Sequence, residues 1–229
     1  SRRLLGIARR ANFCAFLTDS GGRTSTPPAV LFSMQSTVRG HCGGRSTCYV
    51  LFTSGTTGQP KGVVLEHVCV QSYLGAFLQT RPVPGRCRTL LFASITFDAH
   101  VEDLYPALSR KGQLYVRAKF VLLDALPKFV NMFRINYLQS TPSELSLILA
   151  QSLGSMKLLL VASERLPESL LRTWSCAVPT FFNEYGPTEA AVDSTGTRCI
   201  SDAAFADSIG VPLLNFVANI VDASYNGTL

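Results

Sequence analysis

The residues best suited to chemistry lie in one short segment, Phe52-Thr53-Ser54-Gly55-Thr56-Thr57-Gly58-Gln59-Pro60-Lys61-Gly62. It combines three glycines, four hydroxyl side chains and one lysine, and it follows an apolar run that begins at Tyr49. Glycines let backbone N–H groups approach an anion, hydroxyls donate further hydrogen bonds, and the lysine supplies a positive charge. This composition is typical of a loop that binds phosphate.

The segment differs from a Walker A loop, in which Gly, Lys and Ser/Thr follow one another directly at the start of a helix. Here Lys61 lies between Pro60 and Gly62, and the apolar residues 63–65 come next. We therefore predict a loop held between two strands.

A second polar segment follows a predicted strand at 179–182 and reads Asn183-Glu184-Tyr185-Gly186-Pro187-Thr188-Glu189. The Gly-Pro pair favours a rigid turn. Around it, the amide and the phenol suit a nucleotide base, the hydroxyl suits a phosphate, and a carboxylate suits Mg²⁺.

A third candidate is Asp98 in Phe97-Asp98-Ala99, between a predicted strand at 89–95 and a predicted helix at 98–109. One interpretation is structural, because Asp is a good helix N-cap. The other is functional: a carboxylate in a closed pocket is costly without a cationic partner, so Asp98 would bind one.

Together, these segments resemble the signature motifs of the adenylate-forming (AMP-binding) superfamily, and most closely those of nonribosomal peptide synthetase adenylation domains. The resemblance is clear over residues 48–195. It implies that ATP and Mg²⁺ are the cofactors and that Lys61, Thr188 and Glu189 are catalytic, with Glu189 also the metal ligand. The nucleotide-binding residues that it implies are Thr53, Ser54, Gly55, Thr56, Thr57, Gly58, Lys61, Asn183, Glu184, Tyr185, Gly186 and Thr188.

In amino-acid-activating members of this family, the aspartate of the Phe-Asp-Ala motif pairs with the substrate's α-ammonium group. The resemblance implies a substrate-binding set of Asp98, Ala99, Glu102, Gln139, Leu160, Ala162, Glu184, Val192 and Asp193. Besides Asp98, three members are acidic, and crowded carboxylates have raised pKa values unless a cation compensates them. We hypothesise a basic substrate side chain such as that of ornithine or lysine.

The elements that must position these residues alternate along the chain. Predicted strands lie at 13–18, 48–52, 62–65, 89–95, 113–117, 135–139, 157–162 and 179–182. Predicted helices lie at 67–79, 98–109, 124–133, 142–151 and 167–174. The alternation predicts an α/β fold of largely parallel sheets covered by helices on both faces, with ligands at the carboxyl ends of strands. By resemblance this is part of the large N-terminal domain of the adenylate-forming fold.

Composition restricts the partners. The chain has 229 residues, 47% of them apolar, and a net charge of +6 without a basic stripe, so we expect neither nucleic acid nor membrane as a partner. It has no C-x-x-C pair and no histidine ligand spacing, which favours reduced thiols in a cytoplasmic protein. The seven cysteines are Cys14, Cys42, Cys48, Cys69, Cys87, Cys176 and Cys199.

We expect the chain to be a partial adenylation domain over residues 1–229, truncated at both ends, with a loop-rich connector at 20–47. The family's ribose-binding aspartate, hinge and C-terminal domain with its catalytic lysine would lie beyond it. Another departure is Ala162-Ser163-Glu164, where the family usually has Gly-Gly-Glu.

The leading functional prediction is ATP-dependent activation of an amino acid as aminoacyl-AMP, which the family passes to a peptidyl carrier protein. Three alternatives stay open: an acyl- or aryl-CoA ligase of the same superfamily, a non-catalytic fragment that at most binds nucleotide, and a generic phosphate-binding module. Asp98 disfavours the first. The second and third motifs disfavour the last.

Overall fold

The computed structural model describes residues 14–17, 30–33, 46–54, 59–117, 119–202 and 205–218. The strands are β1 (Cys14–Leu17), β2 (Val30–Ser33), β3 (Thr47–Ser54), β4 (Pro60–Glu66), β5 (Arg88–Leu91), β6 (Gln113–Val116), β7 (Tyr137–Ser140), β8 (Leu158–Val161), β9 (Thr180–Tyr185), β10 (Thr195–Arg198) and β11 (Val211–Pro212). The helices are α1 (His67–Thr80), α2 (His100–Ser109), α3 (Lys119–Phe133), α4 (Pro142–Leu145) and α5 (Glu168–Ala177), with 3₁₀ turns at Ala150–Ser152 and Thr188–Ala190.

Three sheets organise the described strands. One has the order β1-β2-β6-β5, a second has the order β11-β10-β9-β8-β7, and β3 pairs only with β4. Pairing is parallel between β5 and β6, β7 and β8, and β8 and β9. Helices connect these parallel neighbours, as crossover connections require. The predicted α/β class is confirmed.

More of the strand pairs are antiparallel than the sequence pattern predicts. Strand β10 returns antiparallel to β9 after the short turn Thr188–Ala190, and β11 continues in the same way. Strand β2 runs antiparallel to both β1 and β6. A tight turn leaves no room for a crossover helix, so the sheets are mixed.

Two large apolar cores cover opposite faces of the β7-β8-β9 sheet. Along β9, Phe181 packs into the core that contains Trp174 of α5, whereas Phe182 packs into the core that contains Tyr73 of α1. Alternate side chains of a strand point to opposite faces, so Glu184 lies on the Phe182 side and Asn183 on the other. Predicted site residues at odd and even positions of β9 therefore lie on opposite faces of the sheet.

Several predicted boundaries differ from the structure. The predicted helix 142–151 is interrupted: α4 ends at Leu145, and a 3₁₀ turn follows at Ala150–Ser152. The predicted strand 89–95 ends at Leu91, where the chain turns toward Asp98. The predicted connector 20–47 contains β2, and its other residues up to 45 lie outside the described ranges.

None of the described helices is long and apolar enough to cross a membrane. The described thiols are unbridged: Cys87 and Cys199 are buried, Cys48 is half-buried, and Cys69 and Cys176 are exposed.

Candidate functional site

Strands β3 and β4 flank the glycine-rich loop, as predicted. They pair antiparallel with Thr53 opposite Lys61 and Ser54 opposite Pro60. The Thr53 hydroxyl donates to the carbonyl of Lys61 at 3.5 Å. The predicted nucleotide-binding residues Gly55, Thr56, Thr57 and Gly58 lie outside the described ranges, as does the side chain of Ser54.

The hairpin is anchored to the turn that follows β9. Val63 and Leu65 of β4 form a small buried cluster with Ala191, which directly follows the 3₁₀ turn Thr188–Ala190. This packing brings Lys61 Nζ to 3.2 Å from Glu189 Oε1. Hydrogen bonding from its own backbone, then from Lys61, lowers the pKa of Glu189. Two of the three predicted catalytic side chains are therefore in contact.

The turn that carries Thr188 and Glu189 is held by close backbone contacts. A Cβ on Gly186 would lie 2.2 Å from the Val192 carbonyl oxygen, so only glycine fits there. Ala191 and Val192 have φ values of 63° and 73°, which are costly for residues with a side chain and most costly for a β-branched one. The chain reverses sharply here, and this reversal places Asp193 on the site side.

Asp98 reaches the same turn. Burial, the largest influence, raises the pKa of Asp98, and the nearby Thr188 side chain opposes that rise. The N-cap of α2 is Ala99, and no side chain caps the helix. The capping interpretation of Asp98 is therefore not supported, and Asp98 Oδ2 is buried without a hydrogen-bond partner among the described residues.

Asp103 of α2 fixes the loop that carries Asp98. Its Oδ2 accepts hydrogen bonds from the backbone N–H groups of Phe92 and Ala93, at 2.8 and 2.7 Å, where β5 has just ended. Asp103 is fully buried. A buried carboxylate that satisfies two backbone donors holds the strand end against the helix.

Gln139, Leu160 and Val192 of the predicted substrate set lie on one face of the β7-β8-β9 sheet. Gln139 of β7 pairs in register with Leu160 of β8, which pairs with Phe182 of β9. Leu160 and Val192 belong to the same apolar core as Phe182, and Ala162 follows β8 as a buried residue. The Gln139 amide donates to the Ser140 carbonyl at 3.4 Å.

The acidic members meet beside this core. Glu102 and Asp193 are 1% and 4% exposed, and their carboxyl groups lie close enough to interact electrostatically. The Tyr73 hydroxyl of α1 donates to Glu102 Oε1. Burial, then the charge of Glu184, raises the pKa of Glu102 to about 8. Burial also raises the pKa of Asp193, and Glu102 and Glu184 add to that rise.

Glu184 already has a cationic partner. Arg81, the residue after α1, donates from Nε to Oε1 at 2.6 Å and from Nη2 to Oε2 at 2.7 Å. Both side chains are buried. Burial raises the pKa of Glu184, and the guanidinium opposes that rise. The sequence-based argument for a basic substrate counted three uncompensated acids, and this count is wrong for Glu184.

Two further residues that were predicted to bind the nucleotide, Tyr185 and Asn183, differ in solvent exposure. Tyr185 is half-exposed, so its ring is accessible. Asn183 is buried, and its Nδ2 donates to the Ser208 carbonyl at 3.0 Å. The Asn183 amide nitrogen therefore supports the segment after β10.

Sequence reasoning missed Arg81, Tyr73 and Asp103. Arg81 and Tyr73 belong to no motif, and a burial pattern along α1 does not distinguish a tyrosine that donates to a carboxylate from one that only packs. Asp103 stands beside Glu102 on α2, and two adjacent acidic residues on a helix are typical of a solvent-exposed face. Both acids are buried.

The described residues contain no group of three or more histidine, cysteine or acidic side chains that could hold a metal ion by themselves. Mg²⁺ differs from most protein-bound metals, because one or two carboxylates and the phosphates of a substrate suffice to bind it. Glu189, half-exposed beside Lys61, fits that requirement.

Comparison with known proteins agrees with this geometry. The family model described as "AMP-binding enzyme" matches residues 17–229. Similar curated proteins include nonribosomal peptide synthetase gloA of Glarea lozoyensis, 31% identical over 165 residues that cover 72% of this chain and 2% of the synthetase. Nonribosomal peptide synthetase ecdA of Aspergillus rugulosus is 30% identical over 224 residues, covering 92% of this chain and 3% of the synthetase.

Among solved structures, the Vibrio cholerae adenylation domain AlmE, in complex with glycyl-adenosine-5′-phosphate, has a TM-score of 0.68 and 25% identity. The similarity covers 74% of this chain and 34% of AlmE. The chain thus spans a small part of the curated relatives and about a third of the solved domain. It belongs to the AMP-binding enzyme family, and it is similar to nonribosomal peptide synthetases and to a solved adenylation domain.

Proposed function

We propose that this chain carries the nucleotide-facing and amino-acid-facing part of a domain that activates an amino acid as aminoacyl-AMP. The observation that carries the proposal is the contact between Lys61 and Glu189, because it brings the glycine-rich hairpin and the Tyr-Gly-Pro turn to one edge of the fold. Asp98 joins the same edge through Thr188.

In the reaction proposed, a carboxylate oxygen of the amino acid attacks the α-phosphorus of ATP, and pyrophosphate leaves. Lys61 would neutralise charge on the phosphates, and the Thr188 hydroxyl would donate to an α-phosphate oxygen. Glu189 would hold Mg²⁺, which supplies further neutralisation of phosphate charge when bound. Asp98 would pair with the α-ammonium group and so orient the carboxylate toward phosphorus.

Two finer points belong to the same proposal. The acceptor of the aminoacyl group would be the thiol of a peptidyl carrier protein. The substrate side chain would be basic, since Glu102 Oε2 and Asp193 Oδ2 are buried without a hydrogen-bond partner in the described part of the chain.

The test is amino-acid-dependent exchange of pyrophosphate into ATP. With L-lysine as substrate, we expect Asp98→Ala to abolish exchange. The same variant should still accept 6-aminohexanoate, which is lysine without its α-ammonium group. Glu168→Ala, an exposed acid on α5, is the matched control and should behave as the unmodified chain.

Three other outcomes would contradict the proposal. Equal exchange by Asp98→Ala and the unmodified chain would remove the assigned role of Asp98. A preference for 6-aminohexanoate by the unmodified chain would favour an acyl-CoA ligase. ATP binding without exchange for any amino acid would favour a fragment that only binds nucleotide.

A further inference from the structure

A cleft of about 490 Å³ lies at the end of the β7-β8-β9 sheet that is opposite the candidate site. Asn136 and Lys157, which directly precede β7 and β8, line it together with Thr180, the first residue of β9. Because these strands are parallel, the cleft lies at their amino ends, whereas Ala162 and Tyr185 lie at their carboxyl ends. The proposed function does not use this cleft.

Two cations line the cleft without an acidic partner. Arg86 and Lys157 are both exposed, and neither forms an ion pair within the described part of the chain. None of the described lining residues is acidic. A third cation is adjacent, since Arg198 Nη2 donates to the carbonyl of Pro179, another lining residue, at 3.4 Å. The charge around the cleft therefore favours an anionic ligand.

Asn136 holds the backbone of both cations in place. Its Nδ2 donates to the Arg86 carbonyl at 2.8 Å, and its Oδ1 accepts from the Arg88 N–H at 2.8 Å. Its own carbonyl accepts from the Lys157 N–H at 3.0 Å. One residue thus joins the segments that lead into β5, β7 and β8. The cleft is formed before a ligand arrives, which lowers the entropic cost of binding.

The walls of the cleft suit a peptide better than a phosphate. Three of the described lining residues are the prolines Pro82, Pro84 and Pro179. Proline has no backbone N–H, whereas phosphate-binding loops are built largely from backbone N–H groups. The Asn136 amide is already bonded to the backbone of Arg86 and Arg88. The cleft therefore offers an apolar wall beside two cations, which matches a segment with apolar and carboxylate side chains.

We propose that this cleft is a docking site for an acidic peptide segment of a partner protein. Its carboxylates pair with Arg86 and Lys157, and an apolar side chain between them packs against the prolines. The inference is independent of the proposed function. Because the cleft lies at the opposite end of the sheet, a bound segment leaves Lys61 and Glu189 accessible.

Fluorescence anisotropy of a labelled peptide tests the proposal. The probe is the fluorescein-labelled hexapeptide Asp-Leu-Glu-Asp-Leu-Glu, titrated with the 229-residue chain at about 0.1 M salt. We expect saturable binding. The double variant Arg86→Gln/Lys157→Gln should bind the probe about tenfold more weakly or worse, because two charge-assisted contacts are lost. Both residues are exposed, so the fold should be retained.

Two controls separate docking from general attraction to a basic protein. Lys128→Gln/Arg165→Gln removes the same charge from two exposed residues that do not line the cleft, and it should bind the probe as the unmodified chain does. The hexapeptide Asp-Ser-Glu-Asp-Ser-Glu has the same charge without the apolar side chains. It should bind several-fold more weakly, since it cannot pack against the prolines.

Four results would overturn the inference. The first is no saturable binding up to about 0.1 mM chain, and the second is an equal loss in both double variants. The third is displacement of the probe by tripolyphosphate more effectively than by unlabelled hexapeptide, which would assign the cleft to a phosphate ligand. The fourth is self-association, measured by sedimentation, that Arg86→Gln/Lys157→Gln abolishes, which would assign it to a second copy of the chain. All four leave the proposed function intact.

Discussion

Lys61 Nζ lies 3.2 Å from Glu189 Oε1, although 128 positions separate the two residues in sequence. The contact depends on a small apolar cluster in which β4 packs against Ala191, just after Glu189. Two polar segments that are unrelated in sequence therefore form one edge. A ligand that binds at this edge can therefore contact both side chains.

Replacing Lys61 with methionine should weaken ATP binding without destabilising the fold. Both side chains of the Lys61–Glu189 pair are about half-exposed or more, so the free energy of unfolding should change by less than about 1 kcal/mol. ATP affinity should fall about tenfold or more, because the charge that we propose to neutralise the phosphates is lost. Calorimetric titration with ATP and urea unfolding measure the two effects. Lys157→Met, at the opposite end of β8, is the control. If both variants lost ATP affinity equally, Lys61 would have no special role.

Replacing Arg81 with methionine should destabilise the protein by about 3–5 kcal/mol, because it leaves Glu184 buried and uncompensated. The double variant Arg81→Met/Glu184→Leu should lose clearly less than the sum of the single variants. Urea unfolding of the four proteins gives the coupling free energy. The exposed pair Arg172–Glu168 is the matched control, and Arg172→Met should cost less than about 1 kcal/mol. Additive losses at Arg81 and Glu184 would show that the pair is not coupled.

The free energy of unfolding should fall as pH rises from about 5 to about 8. Burial, then the charge of Glu184, raises the pKa of Glu102 from 4.5 to about 8, so the folded state binds more protons than the unfolded state across this range. Each further rise in pH then favours the unfolded state. Urea unfolding at several pH values measures the slope, which Glu102→Gln should flatten. A stability that increases toward about pH 8, or an unchanged slope in the variant, would contradict this assignment.

Replacing Ser163 with glycine should stabilise the protein by about 0.5–1 kcal/mol. Ser163 has a φ of 73°, a left-handed conformation that costs a residue with a side chain roughly 1–2 kcal/mol. Glycine avoids this cost but loses about 0.5–1 kcal/mol through its more flexible unfolded state. Thermal or urea unfolding measures the difference. Ser175→Gly in the last turn of α5 is the control and should destabilise by about 0.5 kcal/mol or less. A loss of stability in Ser163→Gly would contradict the strain.

The sequence predicted the element order well because its apolar periodicity is strong from β3 onward. It also predicted the two strands that flank the glycine-rich loop. Pro60 before Lys61 and the apolar residues Val63 and Val64 after it favour an extended segment over the start of a helix. Antiparallel β10 and β11 escaped prediction, because turn chemistry at Ala191 and Val192 decided the chain direction there. Left-handed conformations at non-glycine residues leave little signal in a sequence.

The sequence identified the motifs and the acidic residues of the candidate site, but not the basic residue that neutralises one of those acids. Glu102, Glu184 and Asp193 were each named from the sequence, and the structure brings them together. The counter-ion Arg81 could not be found, because it pairs with Glu184 across 103 positions and belongs to no motif. Long-range pairing of this kind depends on tertiary packing, which a local pattern does not encode.

The β3–β4 hairpin forms a sheet of its own, apart from the two larger sheets. Beyond its base, it is joined to the rest of the molecule by Val63, which packs against Ala191, and by Lys61, which contacts Glu189. Substitutions on the hairpin that keep this packing should consequently alter nucleotide affinity more than folding. The hairpin is thus a natural starting point for engineering nucleotide preference.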